Sequence, residues 1–212
     1  TDKYQSGEIE RLAAQAGASI NAYTTFDFTM YCFDLPAKNI EIALAIESDR
    51  MRGVSFEGEE FASEKKVVLE EISMRQNDPE EVFEEKFAST AFSKSPYRYP
   101  LTGFYPEINA ARPQELRAFY DRYYQPANAV LVVVGDIKRE KIIKTIKQYF
   151  GGVQGQAVAA RKDEVVELNK GRKGFELHDK RVAAPKIGVA FLSPPYDSED
   201  DSVFQVLDML LV

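Results

Sequence analysis

The apolar and polar positions of this chain fall into blocks that predict alternating helices and strands. Ser6 is placed to cap a helix running through Gln15, and Gly17 to end it. Residues 18–24 (ASINAYT) and 28–34 (FTMYCFD) read as two strands joined by a short polar turn, after which Pro36 breaks the pattern. Ile40, Ala43 and Leu44 recur at helical spacing over 37–51. A longer helix is predicted at 58–76, and another at 80–92 with Val82, Phe83, Phe87 and Phe92 as its apolar stripe. The prolines and glycine of 94–104 (KSPYRYPLTGF) predict a loop. Pro113 suits the first turn of a helix carrying Leu116, Phe119, Tyr120 and Tyr123. The run 129–135 (AVLVVVG) has the shape of a central strand, and a helix at 138–150 stops at Gly151-Gly152.

Beyond that point the texture changes. Residues 153–171 carry Gly, Gln, Ala and alternating charge with little periodicity and read as a linker. Strands are predicted at 173–178 (KGFELH) and 186–192 (KIGVAFL), then a helix at 199–212 capped by Ser198. The sum is an α+β fold, a mixed or antiparallel sheet covered by several helices.

Composition narrows the function classes. With 44% hydrophobic and 29% charged residues, the 212-residue chain has the make-up of a globular domain with a sizeable core. Its net charge of −7 gives no general attraction to nucleic acid or to anionic membranes. No uncharged apolar run is long enough to suggest membrane insertion. One cysteine, Cys32, forbids an internal disulfide. The chain opens on Thr-Asp-Lys and ends at Leu210-Leu211-Val212 in mid-pattern, so both ends read as cut.

The helix 58–76 carries the candidate chemistry. Positions 64, 67, 68, 71 and 74 share one face of a helix, and here they are Glu64, Val67, Val68, Glu71 and Met74. Two carboxylates two turns apart thus sit within an apolar stripe, where a carboxylate calls for a cation, a metal or hydrogen-bond donors beside it. Glu70 falls off that stripe, toward Lys66 and Ser73. On spacing alone an ion pair of Glu71 with Arg75, or with an arginine elsewhere, accounts for the pattern better than a metal does.

Four segments go further. SEKKVVLEEISMRQNDP resembles the signature of insulinase/pitrilysin-type zinc metallopeptidases in which a helix carries the third zinc ligand. GASINAYTTFDFTMYCFDLP resembles the paired strands that follow the active-site helix of that family, and SPYRYPLTGFYPEI and LRAFYDRYYQPANAVLVVVGDI resemble its later loop and strand, in the family's order. The resemblance implies that Glu71 is a zinc ligand and that Glu64 supports the site from one shell out. It also implies that Asn21, Ala22 and Tyr23 lie on a strand edge to which a peptide substrate adds, although INAY on its own is ordinary strand. Such enzymes take two histidines and a general-base Glu from an inverted H-x-x-E-H motif, and a third ligand from a distant Glu.

That motif is absent here. The single histidine, His178, has no second histidine at ligand spacing and reads as structural or exposed, and Arg98 matches a basic position of the family's loop without an evident role. The family's spacing would place the motif just before Thr1. The expectation is therefore a piece of a zinc endopeptidase comprising the first half at 1–152, the linker at 153–171 and the opening of a second half at 172–212. This piece alone is expected to bind no zinc and cut nothing. The alternative is a non-catalytic homologue that binds peptides or scaffolds an active partner. Implied partners are a peptide substrate and either a second copy or a related subunit.

Overall fold

The computed structural model describes residues 1, 3–56, 58–158, 166–168, 170–171, 173–195 and 198–211. These fall into two compact units, Thr1–Met74 with Leu101–Asp163, and Arg75–Pro100 with Glu164–Val212.

In the first unit, α1 spans Glu8–Gln15 and does not begin as expected. Gly7, with φ 72°, holds the N-cap position with no side-chain cap, and the Glu8 carboxylate accepts from the Gln5 N–H (3.1 Å). Ser6 therefore does not cap it. Its end is the expected one. Gly17 takes a left-handed φ of 66°, with its N–H donating to the Ala14 carbonyl and that of Ala18 to Ala13, the paired bonds that close a glycine-ended helix.

Strands β1 (Ser19–Thr24) and β2 (Thr29–Asp34) form an antiparallel hairpin in which Ile20 faces Phe33, Asn21 faces Cys32, Ala22 faces Tyr31 and Tyr23 faces Met30. The Thr25 hydroxyl fixes the turn by accepting the N–H bonds of Asp27 and Phe28. The core lies against the helices that follow. Ala13 and Ala16 of the α1 end, and Ala43, Leu44 and Ile46 of α2 (Ile40–Arg50), are buried.

Helix α3 (Gly58–Asn77) buries Ile72, and Asp78 separates it from α4 (Pro79–Ala91), whose first turn it caps through the Glu80 N–H (2.9 Å). A short helix, α5 (Tyr105–Ala110), follows the expected loop. Helix α6 (Pro113–Tyr123) starts on its proline, with the Glu115 carboxylate accepting the Arg112 N–H (2.9 Å), and buries Tyr120. Helix α7 (Arg139–Phe150) buries Ile142 and packs on α2.

The run 129–135 is not a strand of the sheet. Val130 and Val134 are each 90% exposed, and among the described residues the sheet consists of β1 and β2. Its apolar pattern is that of a strand, but a strand exists only where a second backbone pairs with it.

In the second unit, α4 stacks Phe83 on Phe87 (centroids 5.9 Å), and Phe175 leans on Phe83 (5.6 Å). Lys186 pairs with Glu80 and Glu84, and Phe92 bridges to Leu168. The described segments 173–178 and 186–192 are irregular rather than stranded, held to α4 by side chains instead of a backbone ladder. Helix α8 (Asp201–Leu211) starts two residues later than expected. Asp201 N–H donates to the Ser198 carbonyl, while the Ser198 hydroxyl has no partner among the described residues and does not cap it. Of the expected linker, residues 159–165 and 169 lie outside the described residues.

Among the described residues Ile46 is one of the most deeply buried side chains. Ile46→Ala should lower the unfolding free energy by roughly 2–5 kcal/mol in urea titration, whereas Val130→Ala, at a fully open position, should cost less than about 0.5 kcal/mol.

Candidate functional site

Helix α3 presents its carboxylates differently from the sequence expectation. Val67 is 56% exposed and Met74 is 73% exposed, and Glu64, Glu70 and Glu71 are all exposed as well. The inward side is instead Ile72 with half-buried Phe61, Lys65, Val68 and Leu69. At roughly 100° per residue, the expected stripe is thus out of phase by about one residue. Val67 and Met74 are apolar and place the expected stripe on their own side, while the charged Lys65 sits on the inward side. Lys65 buries its stem and places its ammonium Nζ over the Phe61 ring (5.5 Å), donating to the carbonyls of Asn109 (3.1 Å) and Ala111 (3.4 Å) at the C-terminal end of α5.

The correction changes the argument for the carboxylates. Neither Glu64 nor Glu71 is desolvated, so burial does not demand a partner for either. Their angular placement still groups them. Taking Ile72 as the inward direction, Glu64 and Glu71 both lie about 90° to one side, roughly 20° apart around the axis and about 10 Å apart along it. Glu70 points about 160° away, on the far side.

Glu64 opens onto a cavity of about 890 Å³ in the first unit, shared with Asn21, Ala22, Tyr31, Arg50 and Tyr120. Thus the helix carboxylate and two of the three expected strand-edge residues line one space. Tyr23 and Glu71 do not line it. Tyr23 turns to the other face of the hairpin, where its hydroxyl meets the Met30 sulfur (3.0 Å) and its ring meets Phe28 edge-on. Among the described residues β1 pairs with β2 alone, which leaves its second edge open. The Ala22 N–H donates to the Asn21 carboxamide oxygen (2.9 Å).

The same cavity is lined by groups the sequence reading overlooked, Tyr31, Arg50 and Tyr124. Arg50 pairs with Glu47 (3.0 Å) and lies over the Tyr31 ring (4.8 Å). Burial raises the Glu47 carboxyl above its usual range, against the pull of Arg50. Burial, then the hydrogen bond with Tyr124, pushes the Tyr31 phenol well above the usual tyrosine range. Residues 31, 50 and 124 are far apart in sequence, and no local pattern could have grouped them.

His178 is in the second unit, its side chain 84% exposed and 3.4 Å from Glu176. Arg98 donates to the Ser93 carbonyl (2.8 Å) and lies over the Tyr99 ring (5.7 Å), a loop-holding arrangement. Among the described residues no three His, Cys, Asp or Glu side chains converge as a metal-holding group. Taken alone, the described residues do not fit zinc. Glu71 offers one hard oxygen ligand, and zinc takes three or four protein ligands including nitrogen or sulfur donors. No described helix is long and apolar enough to cross a membrane.

The chain is similar to known proteins along most of its length. Residues 1–104 match the family model "Insulinase (Peptidase family M16)", and residues 110–212 match "Peptidase M16 inactive domain". The zinc protease PqqE of Helicobacter pylori is 26% identical over the whole chain, which spans 48% of that relative's length. The crystal structure of a protease from Helicobacter pylori superposes with a TM-score of 0.74 at 28% identity, covering 79% of this chain and 41% of that one. A mutant of the ferredoxin protease FusC, solved in complex with Arabidopsis ferredoxin, gives 0.65 at 26% identity, covering 73% of this chain and 18% of that one.

If Lys65 holds the phase of α3, removing its ammonium should loosen that helix. Lys65→Met should lower stability by about 1–2 kcal/mol and speed amide exchange over 58–72 and 105–112, while Lys66→Met on the outer side should change neither.

Proposed function

We propose that this chain, which belongs to the insulinase (M16) family of peptidases, is part of a zinc-dependent endopeptidase acting on peptides or small unfolded proteins. The observation that carries this reading is the common flank of α3 on which Glu64 and Glu71 lie, together with the cavity that Glu64 shares with Asn21 and Ala22. In this proposal Glu71 supplies one carboxylate ligand to a zinc whose other ligands lie outside the described residues, and Glu64 supports the site from one shell out. A peptide adds to the open edge of β1 at Asn21, Ala22 and Tyr23. There the Asn21 carboxamide gives up its hold on the Ala22 N–H to a substrate carbonyl. The FusC complex with ferredoxin extends the substrate class to small proteins.

The proposal includes the organisation of the chain as a first half at 1–152, a linker at 153–171 and the opening of a second half at 172–212. It also includes pairing with a second copy or a related subunit. A second reading is a non-catalytic homologue that binds peptides. The observation behind it is the match of 110–212 to the inactive-domain model.

Three variants separate these readings in the protein extended to the length of its relatives. Glu71→Gln should remove most of one bound zinc per chain, since a neutral amide is a much poorer ligand. Glu64→Gln should keep the metal and lose about 10–100-fold in peptide hydrolysis. Glu70→Gln, on the far side of α3, should change neither. Zinc content and hydrolysis are measured side by side. Loss of metal from Glu70→Gln with retention by Glu71→Gln would reverse the assignment, and an unsubstituted protein that binds peptide without zinc or hydrolysis would establish the second reading.

A further inference from the structure

The hairpin that offers the β1 edge is tied to the helices by a chain of side chains on its cavity face. Tyr31 stands directly opposite Ala22 in the ladder. Its hydroxyl lies 2.8 Å from that of Tyr124, the residue that ends α6 and is 93 positions away in sequence. Tyr124 stacks on Tyr120 (centroids 4.9 Å), and Tyr120 donates its hydroxyl hydrogen to the Arg50 carbonyl at the end of α2. Arg50 returns to Tyr31 through its guanidinium over the ring, and Arg52 donates to the Tyr124 carbonyl (3.3 Å). The loop of contacts closes on itself through β2, α2 and α6, and every member packs against another ring or cation. Tyr120 is buried, so this end of the chain is fixed in the core.

We infer that the Tyr31–Tyr124 hydroxyl pair is a positioning element for peptide binding, holding β2, and through it the β1 edge at Asn21–Tyr23, at a fixed tilt to α6 and the cavity. The inference rests on the reading of that edge as the peptide-binding strand. The pair acts through the hairpin and not by touching the substrate. One hydroxyl hydrogen bond is made between the two phenols, so removing either oxygen breaks it, and removing both does no further damage. Each Tyr→Phe change leaves the ring stacking, and with it the Arg50 and Tyr120 contacts, in place.

The test uses the protein extended to the length of its relatives, as Tyr31→Phe, Tyr124→Phe and the double variant. In the zinc-free form, amide exchange of residues 19–24 should quicken roughly fivefold in each single variant, the effect of losing one neutral hydrogen bond, and no further in the double variant. In the zinc-loaded form KM for a peptide should rise by a similar roughly fivefold factor, with kcat and zinc content unchanged. A rise in KM without quicker exchange at 19–24 would mean direct contact between the phenols and substrate, and overturns the positioning role. Exchange unchanged in both single variants, or effects that add in the double variant, overturns it equally. Failure of the unsubstituted protein to bind peptide overturns the reading of the β1 edge beneath it, and the exchange comparison still judges the anchor by itself.

Discussion

The rotation of α3 about its own axis is the constraint on which the rest of the site depends. A helix has no intrinsic preference for which flank it shows, and here the choice is made by Phe61, Val68, Leu69 and Ile72 turning inward, with Lys65 among them. Lys65 sits in that apolar row because its ammonium reaches the carbonyls of Asn109 and Ala111, where the end of α5 leaves backbone acceptors in need of donors. With these residues inside, Glu64 and Glu71 are carried together onto one flank and Glu70 away from it. A rotation of one residue would exchange Glu70 for Glu71 on that flank, so the chemistry of the helix is no more secure than its inward packing.

The hairpin side of the cavity is secured by a different kind of force. Where α3 is set mainly by apolar burial, the hairpin is set by aromatic stacking and polar contacts among Tyr31, Tyr124, Tyr120, Arg50 and Arg52. Rings supply area at low entropic cost, and their hydroxyls and neighbouring guanidiniums supply direction. The cavity thus combines one solvent-open carboxylate from α3, Glu64, with the phenols of Tyr31, Tyr120 and Tyr124.

Much of this was legible in the sequence because it is local. The hairpin 19–34, the Pro113 helix start and the Gly17 helix end each rest on a few adjacent residues, and each stands where expected. The α3 signature led to the family for the same reason. The phase of α3 was misjudged because Val67 and Met74 weigh as much as Leu69 and Ile72 in a count of apolar positions, and only tertiary contacts decide between them. The run 129–135 has a strand's composition, yet strand formation depends on a partner that local pattern does not specify. The Tyr31–Tyr124 pair spans 93 positions and leaves no periodic trace.

The most direct test of the central claim is to locate the metal against α3. Crystals of the protein extended to the length of its relatives, grown with zinc, would be measured by anomalous scattering at the zinc edge. The account predicts one peak at about 2.0–2.2 Å from a Glu71 carboxylate oxygen, with Glu64 nearby but farther from the metal. A peak bonded to Glu70, or placed away from this helix altogether, would contradict it.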